Sequence, residues 1–291
     1  MPRQTNSVAA VNVDVVPDDF YAQVWHALQC CDPAEKCRQT QQLYDNWPRY
    51  AATLDTTLAV CNNCQAGRPA KPELVPPREV PARGIGSAHG RVMLTHAIAH
   101  IEFNAINLAL DAAYRFRNLP ADYYHDWLKV AAEEAHHFSL LNHYLQQRGH
   151  SYGDFAAHNS LWEMAQRTAH DVLVRMALVP RVMEARGLDV TPGIIKKLQH
   201  VKDLELVAHL QIIHRDEIGH VAIGSKWFRF LCEQRQLDAR VTFGQLIEEY
   251  MSGSLKGPFD EIARMQAGFS AEEMADLRGK IKETENANER K

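Results

Sequence analysis

The chain has 291 residues, of which 46% are hydrophobic, and its formal net charge is −4 at pH 7. No uninterrupted apolar run approaches the roughly 20 residues that a membrane helix needs, and residues 1–19 carry neither the hydrophobic segment nor the cleavage site of an export signal. We therefore expect a cytoplasmic protein with no membrane partner, in which the acidic balance disfavours a nucleic-acid partner but leaves one open.

The first third of the sequence predicts an arm, short helices and an irregular connection. Residues 1–17 are expected to form a disordered or extended arm that ends at Pro17. Apolar residues then recur at helical spacing up to about Ala66, which predicts two or three short helices. From Gly67 the sequence is rich in proline and glycine, a composition typical of irregular structure. Residues 18–89 are thus predicted to be an N-terminal helical region with its connection.

Four long amphipathic segments follow, which we name helices A to D. Gly187 is expected to end helix C, and Thr191 with Pro192 is expected to begin a short helix before helix D. Residues 236–291 are predicted to be a C-terminal helical extension that ends in a charged tail. The predicted bounds of the four helices are 90–118, 121–147, 159–186 and 204–235.

Two stretches of the chain repeat one pattern, a lone glutamate followed 32 or 33 residues later by Glu-x-x-His. Residues i and i+3 share a helix face, so each Glu-x-x-His pair aims a carboxylate and an imidazole at one point. Two lone glutamates and two such pairs on four helices are the ligand set of a carboxylate-bridged dimetal centre. The predicted metal ligands are Glu102, Glu134, His137, Glu184, Glu217 and His220.

Helix B offers two overlapping pairs at this spacing, because Glu133 precedes Glu134 and His136 precedes His137. Stepping by three residues along the apolar stripe from Ala131 leads to Glu134, whereas Glu133 lies beside the stripe. An ionised carboxylate on an apolar stripe is costly unless it is paired or metal-bound. We therefore choose Glu134 and His137, with a core of satisfied salt bridges as the alternative explanation.

The spacing of the ligands also predicts the fold. Glu134 and Glu184 are 50 residues apart, a longer separation than within either half of the repeated pattern. This asymmetry suits two helix hairpins joined by a long crossover. No strand pattern competes with the helical one. The sequence thus predicts an all-α protein in which residues 90–235 form a dimetal four-helix bundle.

Carboxylate and imidazole ligands without a thiolate suit iron or manganese better than a structural zinc ion. The predicted cofactor is therefore two metal ions, iron in the first place, with manganese or a mixed pair as alternatives. A metal-bound histidine also needs an acceptor for its second ring nitrogen. We expect Asp216 to orient His137 and Glu133 to orient His220 across the bundle, the alternative being two exposed acids on a helix flank.

The surroundings of the predicted centre contain small residues. These either leave room for dioxygen or a substrate or permit close helix packing, and bulkier residues of helix B complete the predicted lining. Two of the positions, 141 and 224, stand where a radical tyrosine would be expected, which argues against a stable tyrosyl radical. The predicted pocket lining is Ala105, Ala109, Phe138, Leu141 and Gly224.

Other residues near the ligands are predicted to have structural roles. Pro180, four residues before Glu184, is expected to kink helix C. His96, His100 and His136 are expected to be core or flank histidines rather than ligands.

The cysteines give little indication of function. Cys61 and Cys64 form a single C-x-x-C, with no second pair at zinc-finger spacing. We expect all six cysteines to be reduced thiols without a catalytic role.

Four motifs carry a resemblance to a known family: HAIAHIE at 96–102, EAHHF at 134–138, EARGLDVTP at 184–192 and DEIGHVAIG at 216–224. In this order they resemble the ferritin-like bacterial family called domain of unknown function 455, over roughly residues 20–250. The resemblance implies a ferritin-like four-helix bundle with a dimetal site, and it implies no reaction. In motif style alone the chain is more distantly similar to ferritin-like diiron hydroxylases of the tRNA isopentenyladenosine hydroxylase family, from which no substrate is carried over.

Three functions are compatible with these features. The leading hypothesis is an oxidoreductase whose dimetal centre activates dioxygen or peroxide toward an unknown substrate. The second is a metal-handling protein that binds or oxidises iron without an organic substrate. The third is a non-catalytic helical scaffold with a structural metal clip, although buried carboxylates stabilise a fold less well than leucine does. The expected partners are dioxygen or a small-molecule substrate, and a homodimer is left open.

Overall fold

A computed structural model describes residues 19–51, 54, 59–61, 65–81, 84–251 and 255–289. The predicted arm of residues 1–17 and Cys64 of the C-x-x-C pair lie outside these ranges. Within them the fold is all-α, with no β-strand and a single isolated bridge between Leu74 and Ala157. The predicted helical fold class is therefore confirmed.

Three short helices open the described structure: α1 (Phe20–Gln29), α2 (Pro33–Asp45) and α3 (Trp47–Tyr50). The carboxylates of Asp19 and Asp32 accept hydrogen bonds from the first turns of α1 and α2, as N-cap residues do. These elements agree with the two or three short helices that the periodicity predicts.

The connection between α3 and the long helices lies against the body of the protein. The Gly67 amide donates to the Leu28 carbonyl over 2.8 Å. A β-carbon at Gly67 would stand 2.1 Å from the carbonyl oxygen of Gln29, so only glycine fits this approach. Further along, the Val75 amide donates to the Ala157 carbonyl over 2.8 Å. The Pro/Gly-rich segment is thus largely irregular, as predicted, and its first half is held against the body of the protein.

The first long hairpin consists of α4 (Ala88–Arg115) and α5 (Ala121–Gln146). The Ser87 hydroxyl accepts from the Gly90 amide and caps α4. Helix α4 is buried on most of its circumference, because α1 packs on the side that α5 leaves free. Predicted helices A and B correspond to these elements within about three residues at each end.

Predicted helix C is wrong as a single helix. The structure has α6 (Ser160–Arg167), α7 (Val172–Leu178), a π-helical segment over Val179–Glu184, and α8 (Ala185–His200). At the break after α6 the Thr168 hydroxyl donates back to the Met164 carbonyl, and Asp171 then caps α7 by accepting from the Leu173 amide. Pro180 disturbs the next stretch, as predicted, and the disturbance takes the form of the π-helical segment.

Gly187 does not end the helix, and no short helix begins at Thr191. Both predictions are wrong, because α8 runs through Gly187 and Pro192. Contacts with the C-terminal region hold this stretch helical: Asp189 accepts two hydrogen bonds from the Arg264 guanidinium and one from the Asp260 amide. These contacts outweigh the cost of about 1 kcal/mol that glycine brings to a helix interior.

The last part of the described chain contains α9 (Leu204–Gln234), α10 (Ala239–Met251), α11 (Glu261–Gln266) and α12 (Ala271–Glu289). Helix α9 corresponds to predicted helix D, and α12 extends into the predicted charged tail. At the start of α9, Asp203 accepts from both Tyr144 on α5 and Arg91 on α4, which joins three helices at one end. Across the described ranges, every helix is too short or too polar to cross a membrane.

Candidate metal centre

The six predicted ligands come from the four helical segments of the bundle and meet in its interior. Their side chains are almost fully enclosed, the most accessible being Glu184 with 9% of its surface exposed. The π-helical segment contributes its last residue to the cluster. The residues are Glu102 on α4, Glu134 and His137 on α5, Glu184 on the π-helical segment, and Glu217 and His220 on α9.

Glu134 lies between the two histidines. Its Oε2 atom is 3.3 Å from Nδ1 of His137, and its Oε1 atom is 3.0 Å from Nδ1 of His220. The two imidazole rings are 5.7 Å apart between centroids. One buried carboxylate thus presents one oxygen to each ring.

Two further glutamates approach the same ring nitrogens. Oε2 of Glu102 is 3.3 Å from Nδ1 of His137, and Oε2 of Glu217 is 3.8 Å from Nδ1 of His220. Ligand atoms of Glu102, Glu134, His137 and Glu217 all lie within 4.8 Å of one another, a spacing that can hold a metal ion. Glu184 and His220 are outside that group of four, but both are close enough for the charge of Glu134 to act on them.

The outer nitrogens of both rings donate to carboxylates on the opposite helix. Nε2 of His137 donates to Oδ2 of Asp216 over 3.2 Å, and Nε2 of His220 donates to Oε2 of Glu133 over 2.9 Å. These are the two pairs proposed from the sequence. Because an ionised carboxylate only accepts, each bond places a proton on Nε2 and turns Nδ1 toward the interior.

Burial governs the protonation of three glutamates. It raises the pKa of Glu102 and of Glu184 to about 8, and the nearby Glu134 carboxylate adds to both shifts. The pKa of Glu217 is raised well above its ordinary value for the same two reasons. Burial also opposes ionisation of Glu134, but the two imidazoles on either side of it hold its pKa below the ordinary value.

The pKa values of the two histidines are raised, although burial alone lowers the pKa of a histidine. Burial disfavours the imidazolium of His137, yet the surrounding carboxylates, beginning with Asp216, raise its pKa well above the ordinary value. The pKa of His220 is raised in the same way, chiefly by Glu134 and Glu133. The carboxylates of the cluster therefore favour positive charge between them, which protons or metal ions can supply.

Several polar atoms that face the interior have no hydrogen-bond partner in the described protein, and their chemistry suits metal ligation. Nδ1 of His220 and Oε1 of Glu134 are close, but the contact lacks the angle of a hydrogen bond. Buried polar atoms are rarely left in this state unless something else satisfies them. In the described part of the chain, the buried cluster atoms that lack a hydrogen-bond partner are Glu102 Oε2, Glu134 Oε1, Glu184 Oε2, Glu217 Oε2 and His220 Nδ1.

Histidines near the ligands have other partners. His100 is buried, and its two ring nitrogens contact the Tyr152 hydroxyl and the His158 carbonyl. Nε2 of His96 accepts from the Gly153 amide over 2.9 Å. His136 is exposed on the outer side of α5.

The five predicted pocket-lining residues have different surroundings. Gly224 packs against Pro180, since a β-carbon at Gly224 would stand 2.3 Å from the proline ring. This contact matches the close-packing alternative. Phe138 packs against Phe103 in a tilted arrangement and against Tyr152 edge to face, with centroids 5.5 and 5.1 Å away. Ala105, Ala109 and Leu141 are fully buried, and their part in a pocket stays a prediction.

Sequence reasoning missed a second row of buried polar residues on α4. Asn104, Asn107 and Asp111 are 6%, 2% and 1% exposed. Their spacing of three and four residues, in a segment otherwise made of apolar side chains, is the signal that would have found them. Asp111 binds the buried Arg175, whose charge acts on the Glu184 carboxyl.

Comparison with known proteins places the chain in a family. A family model described as "Protein of unknown function (DUF455)" matches residues 29–275. The chain belongs to the DUF455 family. All six residues of the cluster lie within the matched range, so the centre is part of the region that defines this DUF455 protein.

A relative from Haemophilus influenzae is similar to the chain over most of both lengths. It is described as "Uncharacterized protein" and is 48% identical over 265 residues, which cover 88% of this chain and 92% of the relative. No solved structure matches the chain.

Proposed function

We propose that this DUF455 protein is a dimetal-carboxylate oxidoreductase, with iron as the first choice of metal, that activates dioxygen or peroxide toward an organic substrate. The observation that carries the proposal is the position of Glu134, whose two oxygens face the inward nitrogens of His137 and His220. A carboxylate placed in this way can bridge two cations, one beside each imidazole.

The donor set fits the proposed metals. Glu102 and His137 would hold one ion and Glu184 and His220 the other, with Glu217 near both. Four buried carboxylates are neutralised by two divalent cations, which removes the cost of enclosing their charge. Oxygen and imidazole donors without a thiolate favour iron or manganese. When bound, such ions would supply redox chemistry toward dioxygen or peroxide.

The protein contributes orientation and a dry environment. Asp216 and Glu133 fix the tautomer and the plane of the two imidazoles. The hydrophobic side chains of Phe138, Leu141 and Val221 are at most 2% exposed and exclude bulk water from this part of the bundle. Such enclosure strengthens every electrostatic interaction inside the centre.

The burial of the ligands also favours one alternative, a structural metal clip. Every ligand is at most 9% exposed, and a clip needs no access for a substrate. The two functions differ in their response to oxygen. A clip stabilises the fold without reacting, whereas an oxidoreductase reacts each time that it is reduced.

The test is to load reduced protein with ferrous ion without oxygen, mix it with oxygenated buffer, and follow absorbance and oxygen consumption. We expect a fast oxygen-dependent optical change in the natural protein. It should be lost in Glu134→Gln and kept in Glu205→Gln, which changes an exposed carboxylate on α9. Absence of any reaction, together with a melting temperature that falls on chelation, would show a clip. Continued turnover of added ferrous ion by large oligomers would show a metal-handling protein.

A further inference from the structure

A second site lies outside the metal centre, on another face of α4. It is a cavity of about 240 Å³ between α4, the irregular connection and the start of α6. Sites for drug-sized ligands usually measure about 300–1,000 Å³, so this cavity suits a smaller molecule. Phe103 lines the cavity, and its ring is 5.5 Å from that of Phe138, the residue that follows His137.

The cavity wall contains two amides whose orientation is fixed. Nζ of the buried Lys36 also contacts the Ala27 and Leu28 carbonyls, so its protonated form donates to all three partners, and the Asn107 atom 2.6 Å away is the amide oxygen. The His100 carbonyl can only accept, so the atom of Asn104 that lies 2.8 Å from it is the amide nitrogen. In the described structure this leaves the Asn107 NH₂ group and the Asn104 oxygen without a protein partner.

The other polar groups around these amides are already satisfied. The His100 ring is fully contacted: its Nδ1 is 2.9 Å from the Tyr152 hydroxyl, and its Nε2 is 3.0 Å from both the His158 carbonyl and the Asn104 amide nitrogen. Burial lowers the pKa of His100 to about 4, which keeps the ring neutral. The indole N–H of Trp162 donates to Gln65 over 2.9 Å. A donor and an acceptor one helical turn apart therefore remain for a ligand.

The charge around the cavity is positive. None of the described residues that line it is acidic, and the guanidinium of Arg68 stands in its wall, where its contacts with the described chain are two weak ones of 3.4 Å to backbone carbonyls. Lys36 lies directly behind Asn107 and adds partial positive charge, because burial lowers its pKa to about 7. Aromatic rings of Phe103, Tyr152 and Trp162 supply flat apolar surface beside these groups.

We propose that this cavity binds a small, planar, anionic heterocycle whose edge carries a ring amide. The ring N–H donates to Asn104 and the adjacent ring carbonyl accepts from Asn107, while the negative group pairs with Arg68. The flat ring packs on the aromatic walls. This site is independent of the metal centre and of the reaction proposed for it.

Three probe molecules distinguish the contribution of the ring-amide edge from that of the negative charge. Orotate has both the ring-amide edge and a carboxylate, uracil has the edge alone, and benzoate has the charge alone. Binding of each to the full-length protein is measured by isothermal titration calorimetry, with and without iron. We expect orotate to bind at least about tenfold more tightly than uracil or benzoate, and we expect the metal to make no difference.

Two variants and a control assign the contacts. Arg68→Gln should lower the affinity for orotate at least about tenfold and leave uracil unchanged. Asn104→Leu should lower the affinity for both orotate and uracil and leave the affinity for benzoate unchanged. Circular dichroism verifies that this variant is folded. Arg78→Gln removes the same charge from a side chain that is 85% exposed and outside the cavity, so it should change nothing.

Three results would overturn the proposal. One is the absence of binding by any probe at about 5 mM. Another is an equal affinity for orotate and benzoate, which would show that only charge is recognised. The third is an equal effect of Arg68→Gln and Arg78→Gln.

Discussion

His137 and His220 are each held between carboxylates on both sides of the ring. Their outer nitrogens donate to Asp216 and Glu133, and their inner nitrogens face the oxygens of Glu134. A neutral imidazole in this position turns a lone pair toward negatively charged atoms, which is unfavourable unless a cation lies between them. The same arrangement makes each ring a good metal ligand, since the outer carboxylate raises its basicity.

The outer carboxylate can be tested by itself. Asp216→Asn keeps the size of the side chain but removes the charge that orients His137, so metal affinity should fall about 10- to 100-fold. Asp122→Asn on the exposed side of α5 is the control and should leave the affinity unchanged. Both are measured by competition with a metal-binding dye. An affinity for Asp216→Asn within a factor of about two of the natural protein would contradict this role for the residue.

The protonation of the cluster predicts that the stability of metal-free protein and the affinity for metal change with pH in opposite directions. Glu102 and Glu184 have a pKa of about 8 in the folded chain, against about 4.3 in an unfolded one. Between these values the folded chain binds more protons, so the stability of metal-free protein should fall as pH rises from about 5 to 8. Metal must displace these protons, so metal affinity should rise over the same range. Melting temperatures with and without metal, measured across this range, provide the check, and parallel curves would contradict it.

The sequence identifies residues that share one repeated pattern more readily than residues that share a cavity. The six residues of the centre could be named because each carboxylate interrupts an apolar stripe at a definite phase. The spacing of Asn104 and Asn107 marks them as a buried polar row, but the cavity that they line was missed, because its other walls come from the connection and α6, far away in the chain. The orientation of their amides depends on Lys36 and a backbone carbonyl, which no local pattern reveals.

At the scale of elements, strong periodicity predicts helices well and tertiary contacts decide the exceptions. Helices α4, α5 and α9 each have a long apolar stripe, and their bounds were predicted closely. The break after α6 and the continuation of α8 through Gly187 depend on Asp171, and on Asp189 with its partner Arg264. These contacts join segments distant in sequence, so local propensity alone gives the wrong result.

The contact between α9 and the π-helical segment determines where Glu184 can lie. Gly224→Ala should destabilise the protein by about 1–3 kcal/mol, because the added methyl would overlap the Pro180 ring. Gly219→Ala is the matched control on the same helix, since nothing lies within 4 Å of its added β-carbon. It should be neutral or stabilise by about 0.5–1 kcal/mol. Urea denaturation of metal-free protein measures both, and equal effects would show that the contact is not tight.

For the whole molecule, the N-terminal helices share one core with the long helices. Phe20 on α1 is 1% exposed and contacts Tyr124 on α5 with ring centroids 5.6 Å apart. Lys36 on α2 reaches Asn107 on α4. The hydrophobic cluster is continuous from α1 to the C-terminal helices. We therefore expect the N-terminal region to unfold together with the bundle.

Phe20→Ala should lower the free energy of unfolding by about 3–5 kcal/mol within a single transition. Ile262→Ala removes an apolar side chain that is 74% exposed, and it should change stability by no more than about 0.5 kcal/mol. Thermal unfolding followed by circular dichroism and by tryptophan fluorescence reports both. Separate transitions by the two probes would show that the N-terminal region is an independent unit.

The metal content of the protein tests the central claim most directly. Protein from iron-supplemented cells is freed of loosely bound metal and measured by plasma mass spectrometry, beside Glu134→Gln and the exposed control Glu205→Gln. The proposed centre predicts about two metal ions per chain in the natural protein and the control, and a clear loss in Glu134→Gln. Fewer than about one ion per chain in the natural protein, or an unchanged content in Glu134→Gln, would contradict a dimetal centre at these six residues.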